Sequence, residues 1–232
     1  MLKKSVFVIS LLLLTVFCYG QNNFSRGEEL LMQNKPEEAV IYLESAVADD
    51  PARVNTYLYL GIVYEQLGRT DEAIAIYRRI LPSAGNLSAN VANNLGNVYF
   101  QRGNTDEAER YYTQAIGFNS AFSRAYLGRA NTGIKAGKLQ NAVSDYEQYL
   151  ALEPLSSQRA SIEQLLTLIR AEFAAAEMRR LLAEEEERRI AEEKQKLLDS
   201  VYASLSSAAD QSQSISSGAE GVEGYEGEFV LE

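Results

Sequence analysis

Of the side chains that commonly carry catalysis, this sequence supplies only carboxylates in quantity. It has 32 Asp and Glu against 22 Lys and Arg, no His, no Trp and one Cys, Cys18. Without His there is no imidazole base, no Ser-His triad and no His-ligated metal site. Cys18 lies inside an apolar leader, so Cys-ligated zinc, iron–sulfur clusters, structural disulfides and a thiol nucleophile are excluded for the rest of the chain. Paired carboxylates can act as general acid and base. Here, however, the acids stand at helix starts or in one charged run, where capping and solvation account for them. No Gly-rich phosphate loop follows a strand. The expectation is a protein that is not an enzyme, with no cofactor and no metal. The chemistry left is amide chemistry. Residues 88–99, SANVANNLGNVY, are dense in Asn. A carboxamide offers a donor and an acceptor together, which suits it to holding a peptide backbone.

Those residues belong to an acidic chain with a basic start. Lys3 and Lys4 precede residues 6–17, an apolar run interrupted only by Ser10 and Thr15. That run is too short to cross a bilayer as a mature helix, which takes about 20 apolar residues. It matches the core of a secretory signal peptide covering residues 1–20. Cys18 and Gly20 flank the larger Tyr19 and suit a cut after Gly20. The alternative is lipidation at Cys18, which would tether the protein to a membrane, although Phe17 stands where a small residue is usual. A third outcome is an uncleaved anchor, and all three routes take the body out of a bacterial cytoplasm, to the periplasm or beyond. Without residues 1–20 the chain carries 20 bases and 32 acids, a net −12. That balance opposes nucleic acid, whose binding needs clustered Lys and Arg, and opposes a bare anionic membrane surface. Membrane contact is expected only through Cys18.

The body repeats. Ala39, Ala73, Ala108 and Ala142 are spaced by 34, 35 and 34 residues, and so are Gly27, Gly61, Gly96 and Ala130. Other positions keep the same phase: Leu30, Tyr64, Tyr99 and Gly133; Leu43, Tyr77, Tyr112 and Tyr146; Asn34, Gly68, Gly103 and Gly137. Apolar residues at three- and four-residue steps predict two amphipathic helices per repeat. Gly68, Gly103 and Gly137 can supply the positive φ that ends a first helix. Thr70 and Thr105, each followed by Asp-Glu, stand where the N-cap of the second helix is expected. Gly and Ala at the crossing let the helices approach, and the Tyr residues are expected to fill the core. One hairpin cannot bury its apolar face alone, so neighbours must stack.

Leu60-Gly61-x-x-Tyr64 and Leu95-Gly96-x-x-Tyr99, with Pro51 and Pro154 closing repeats, resemble the tetratricopeptide repeat. Four copies are read, at 21–53, 54–88, 89–122 and 123–156. The first departs with Asn23 and Arg26, and the fourth with Arg129-Ala130 and Gly133. The second is interrupted by Pro82 and carries a one-residue insertion in LPSAGNLS. The resemblance implies an all-α, right-handed superhelix whose concave face is lined by the first helix of each repeat and holds a peptide or partner segment. On this chain that face maps to Asn55, Tyr59 and Gln66, to Asn90, Asn94, Asn97 and Gln101, and to Arg124, Asn131 and Lys135. Asn94 and Asn97 resemble the asparagine ladder with which some relatives grip a peptide backbone. Asn90 can also cap its helix. A terminal-carboxylate clamp is not expected, because Leu58 and Ile62 occupy the places of its first, charged element. The functional expectation is an adaptor or scaffold of the cell envelope for a protein or peptide partner. The alternative is a membrane-tethered lipoprotein of envelope or outer-membrane assembly.

Residues 157–205 read as a capping helix continued as a charged helix. Ile162, Leu165, Leu166 and Ile169 face the last repeat, and Ser157 or Ser161 caps the start. Residues 171–205 lack Pro and Gly and are rich in helix formers. Glu184 with Arg188, Glu185 with Arg189, and Glu192 with Lys196 are spaced for i,i+4 pairs. As a coiled coil the helix has a seam of Ile162, Ile169, Ala176, Ala183, Ile190 and Leu197. Its partner positions become Arg180, Glu187 and Lys194, a poor dimer interface. A solvated spacer is expected, with a weak homodimer through residues 157–205 as the alternative. Residues 206–232, rich in Ser, Gly and Glu and free of Lys and Arg, read as a disordered acidic tail.

Overall fold

A computed structural model describes residues 23–218. The proposed signal segment 1–20, with Cys18, and the tail beyond residue 218 lie outside the described residues. Among the described residues there are helices and no strands. They are α1 (residues 23–32), α2 (Pro36–Asp49), α3 (Val54–Gln66), α4 (Thr70–Ile80), α5 (Ser88–Gln101), α6 (Thr105–Phe118), α7 (Ser123–Lys135), α8 (Leu139–Leu152) and α9 (Arg159–Gly218). The first eight pair as four hairpins, one per repeat. From α2 onward each helix of the array packs on the next in sequence, and α5 also touches α3 and α7.

The same local device ends the first helix of each repeat. Asn34, Gly68, Gly103 and Gly137 have φ of 56°, 70°, 78° and 74°. The amide after each turns back to a carbonyl five residues earlier: Lys35 to Leu30 at 3.0 Å, Arg69 to Tyr64 at 2.8 Å, Asn104 to Tyr99 at 2.9 Å and Lys138 to Gly133 at 2.8 Å. This is the left-handed termination that satisfies otherwise orphaned carbonyls.

The helix starts correct the sequence reading by one residue. Thr70 and Thr105 are the first helical residues, not the caps. Asn104 caps α6, its Oδ1 accepting from the Glu107 amide at 3.2 Å, whereas Arg69 precedes α4 with no side-chain cap. The tight turn leaves one residue between the left-handed position and the helix, and that residue becomes the cap. Asn90 is likewise not a cap, because α5 already begins at Ser88. Pro82 does interrupt α4, and the insertion forms two 3-10 turns, Leu81–Ser83 and Gly85–Leu87.

Within each of the first three hairpins a glycine meets a large residue sixteen positions later. A Cβ on Gly27 would lie 2.6 Å from Leu43 Cγ, and one on Gly96 would lie 2.7 Å from Tyr112 Cδ1; Gly61 abuts the Tyr77 ring in the same way. The tyrosines expected in the core are there: Tyr64, Tyr77, Tyr99, Tyr112 and Tyr146 are all buried. Each such side chain contributes about 2–3 kcal/mol by leaving water.

The chain divides into two units between Ile169 and Arg170. In the first, Ile162, Leu166 and Ile169 are buried at the end of the array. Arg159 ties the helix start to α8 by donating to the Leu150 carbonyl at 2.9 Å. The start is set by Ser156 rather than Ser157 or Ser161. Its hydroxyl accepts from the Gln158 amide and bonds Tyr149 at 2.8 Å. In the second unit nearly every described side chain to residue 210 is exposed, Phe173 being half-buried. The ion pairs run differently from those expected. Arg188 reaches Glu185 and Glu192, and Arg189 reaches Glu186 and Glu193. The helix does not stop at Leu205 but continues to Gly218. Residues 206–217 lack Gly and Pro, so a helix already nucleated propagates through them at small cost per residue.

Candidate polar groove on the first-helix face

The first helices α5 and α7 flank a hollow of about 390 Å³. Asn97, Gln101, Arg124 and Asn131 line it together with Phe100 and Leu127. Four of the residues expected on this face are thus brought together. Asn97 and Asn131 occupy the same repeat register, and both are set by a tyrosine of the second helix. Tyr112 donates its hydroxyl to Asn97 Oδ1 at 2.8 Å, and Tyr146 donates to Asn131 Oδ1 at 2.6 Å. A tyrosine takes one lone pair of each amide oxygen and so orients the amide, which still has its pair of N–H donors to offer a ligand.

The second repeat breaks this pattern for a simple reason. Ile62 stands at the equivalent register and offers no acceptor, so Tyr77 donates to Glu65 Oε1 instead and accepts from Asn94 Nδ2 at 3.3 Å. Asn94 is therefore committed to the α3–α4–α5 packing rather than to the hollow. Burial raises the Glu65 carboxyl to about 7, outweighing the Tyr77 hydrogen bond that lowers it. The Tyr77 hydroxyl is pushed far up, by burial first and then by Glu65.

The remaining expected residues disperse. Tyr59 packs edge-to-face on Phe24, centroids 5.6 Å apart, and burial raises its hydroxyl pKa, with a hydrogen bond to Glu28 adding to the rise. Lys135 caps the Phe100 ring at 5.0 Å and reaches the Phe100 carbonyl at 3.4 Å. Asn55 and Gln66 are exposed, Asn90 is half-buried in the first turn of α5, and none of the three lines the hollow. Asn93 was missed. It lines the hollow at 5% exposure, and its buried Oδ1 has no hydrogen-bond partner. Its i,i+4 spacing to Asn97 places both on one helix face, and that spacing was the available signal.

The hollow presents amide donors, one guanidinium and an apolar wall, an inventory suited to polar recognition of an extended chain. Among the described residues, no group of three or more His, Cys, Asp or Glu could hold a metal ion, and no helix is long and apolar enough to cross a membrane.

Comparison with known proteins agrees with this architecture. Two family models, both described as tetratricopeptide repeat, match residues 53–121 and 93–157. Among solved structures, PilF of Pseudomonas aeruginosa is similar at 20% identity with a TM-score of 0.61, over 71% of this chain and 74% of that one. MamA from Desulfovibrio magneticus RS-1 is similar at 16% identity and TM-score 0.57, over 67% and 86%. A tetratricopeptide repeat protein from Parabacteroides merdae is similar at 18% and 0.56, over 67% and 62%. No curated protein sequence matches the chain. With the 34-residue period, the glycine-terminated first helices and two overlapping family models that together span residues 53–157, this chain is a tetratricopeptide-repeat protein.

Proposed function

We propose that the chain is an exported adaptor of the cell envelope that holds an extended peptide or partner segment in the hollow between α5 and α7. The tetratricopeptide fold is that of a non-catalytic protein-interaction scaffold. The single observation that carries the finer reading is the pair of register-equivalent amides, Asn97 and Asn131, each locked by a tyrosine so that its N–H donors are left for a partner. Asn93, buried with an unpartnered oxygen beside them, adds an acceptor in want of a donor. A peptide backbone supplies carbonyl acceptors and N–H donors alike, whatever its side chains.

Export rests on the basic, apolar and small-residue order of residues 1–20. Cleavage after Gly20 makes a free periplasmic or secreted adaptor; acylation of Cys18 makes a membrane-tethered one serving envelope assembly. Intact mass of the protein from soluble and membrane fractions of its host distinguishes them. An unprocessed chain found in the cytoplasm would end the export reading.

The groove is tested in the host with a photo-crosslinking amino acid at Gln101, against the same group at the exposed Gln148 of α8. Crosslinks to a partner are expected from Gln101 only. The double substitution Asn97→Ala and Asn131→Ala should weaken capture about tenfold, the loss of two hydrogen bonds of ~0.5–1.5 kcal/mol each. Equal yield from Gln148, or capture that survives the double substitution, would remove the groove from the mechanism.

A further inference from the structure

The fourth repeat abandons a packing position that the second and third fill. Tyr64, Tyr99 and Gly133 are register equivalents. Tyr64 is buried, donates its hydroxyl to Glu44 at 2.9 Å, and has the Arg69 guanidinium 4.1 Å from its ring centroid. Tyr99 is buried and stacks on Tyr111, centroids 5.5 Å apart and planes 7° from parallel. Gly133 has no side chain to place there. Its surroundings change with it: Leu95, Ile74 and Tyr111 of the preceding repeats become Arg129, Glu109 and Asp145 at the same registers.

The result is a hollow of about 260 Å³ between α6, α7 and α8, lined by these residues with Lys138, Asn141 and Ser144. Arg129 donates to Asp145 through Nε at 2.8 Å and Nη2 at 2.7 Å, and Lys138 pairs with Glu109 at 2.5 Å. Lys138 is the register equivalent of Arg69, the cation that covers Tyr64. The fourth repeat therefore keeps the cation and lacks the ring.

We infer that this hollow receives a tyrosine side chain from a partner protein. Its volume is below the ~300–1,000 Å³ of small-molecule pockets and suits one side chain. Both cations are paired with acids, so the hollow carries no net charge and favours neither an anion nor a cation. A wholly apolar group would strip water from four charged side chains without replacing a hydrogen bond. A phenol does both jobs: its ring faces the Arg129 and Lys138 cations, and its hydroxyl donates and accepts. Tyr64 already demonstrates the arrangement inside this chain, ring under a cation and hydroxyl on a carboxylate. The site shares no residue with the α5–α7 hollow, so the two are independent.

The test is a titration of the ¹⁵N-labelled full chain, read by amide shifts, with N-acetyltyrosinamide, N-acetylphenylalaninamide and N-acetylleucinamide in parallel. Saturable shifts at Gly133, Lys138 and Ser144 are expected with the tyrosine probe, at roughly fivefold higher affinity than with the phenylalanine probe, the worth of one hydrogen bond. Ser144→Trp, at the exposed rim, should abolish them, with Asn141→Trp as the second blocking variant if the first unfolds. Lys138→Ala should weaken binding roughly two- to fivefold. The leucine probe binding as well as tyrosine, no saturable shift at these residues, or binding unchanged in a folded blocking variant overturns the proposal.

Discussion

At the scale of single residues, tyrosine hydroxyls organise this protein. The second-helix tyrosines in the register of Tyr77 each donate to an acceptor on the first helix of their own repeat: Tyr112 to Asn97, Tyr146 to Asn131, and Tyr77 to Glu65 where Ile62 offers none. The last choice leaves a half-buried carboxylate whose pKa burial raises to about 7. Folded Glu65 thus holds its proton up to about pH 7, while in the unfolded chain it is released near the ordinary value of about 4.5. Between those values the folded state binds more protons than the unfolded one, so stability falls as pH rises from 4.5 through 7. Glu65→Gln should flatten that part of the pH profile and stabilise the protein at pH 8 by about 1–2 kcal/mol, below the full value of the shift because the carboxylate keeps some solvent. Urea denaturation at pH 5 and pH 8 measures it. An unchanged slope in the variant would show that Glu65 is not the group responsible.

At the scale of elements, helix ends are governed by backbone conformation. Gly103 has φ of +78° and only the Lys135 Nζ near its missing Cβ, so space is not its constraint. Gly117 sits inside α6 with nothing within 4 Å. Gly103→Ala should therefore cost about 1–2 kcal/mol through the left-handed backbone alone. Gly117→Ala should be neutral or stabilising by up to about 1 kcal/mol. Thermal melts of the two variants separate the effects, and a loss at Gly117 equal to that at Gly103 would contradict the assignment. The same logic explains α9. Residues 206–217 mix Ser with the better helix formers Ala and Gln, and none forbids the helical backbone, so the helix continues through them.

For the whole molecule, the array must be closed at its end and the rest of α9 need not contribute to its stability. Ile162, Leu166 and Ile169 are buried, whereas Met178, Leu182, Ile190 and Leu197 are more than half exposed. A chain ending at Arg170 should unfold within a few degrees of the full chain, since ~1 kcal/mol corresponds to only about 2–8 °C. One ending at Gln158 uncovers the last repeat and should melt markedly lower. Light scattering on the full and Arg170-terminated chains tests the homodimer alternative. Equal monomer masses remove it, and a dimer lost on truncation establishes it.

The repeat period, the helix pairs, the glycine terminations and the tyrosine core were legible in the sequence because each depends on local backbone preference or on a periodic pattern. What the tertiary structure alone settled is which polar residues converge. Asn55, Asn90, Asn97 and Asn131 are all first-helix amides, but only the last two meet across one hollow, and their donor orientation depends on tyrosines fifteen residues away. The Gly133 hollow is of the same kind. Its departures from the repeat were visible one by one, but only packing sums Gly133, Arg129, Glu109 and Asp145, contributed by three helices, into one cavity. Helices follow from neighbours along the chain, whereas sites follow from neighbours across it, and contact across the chain is fixed by side-chain volume and hydrogen-bond partners rather than by spacing.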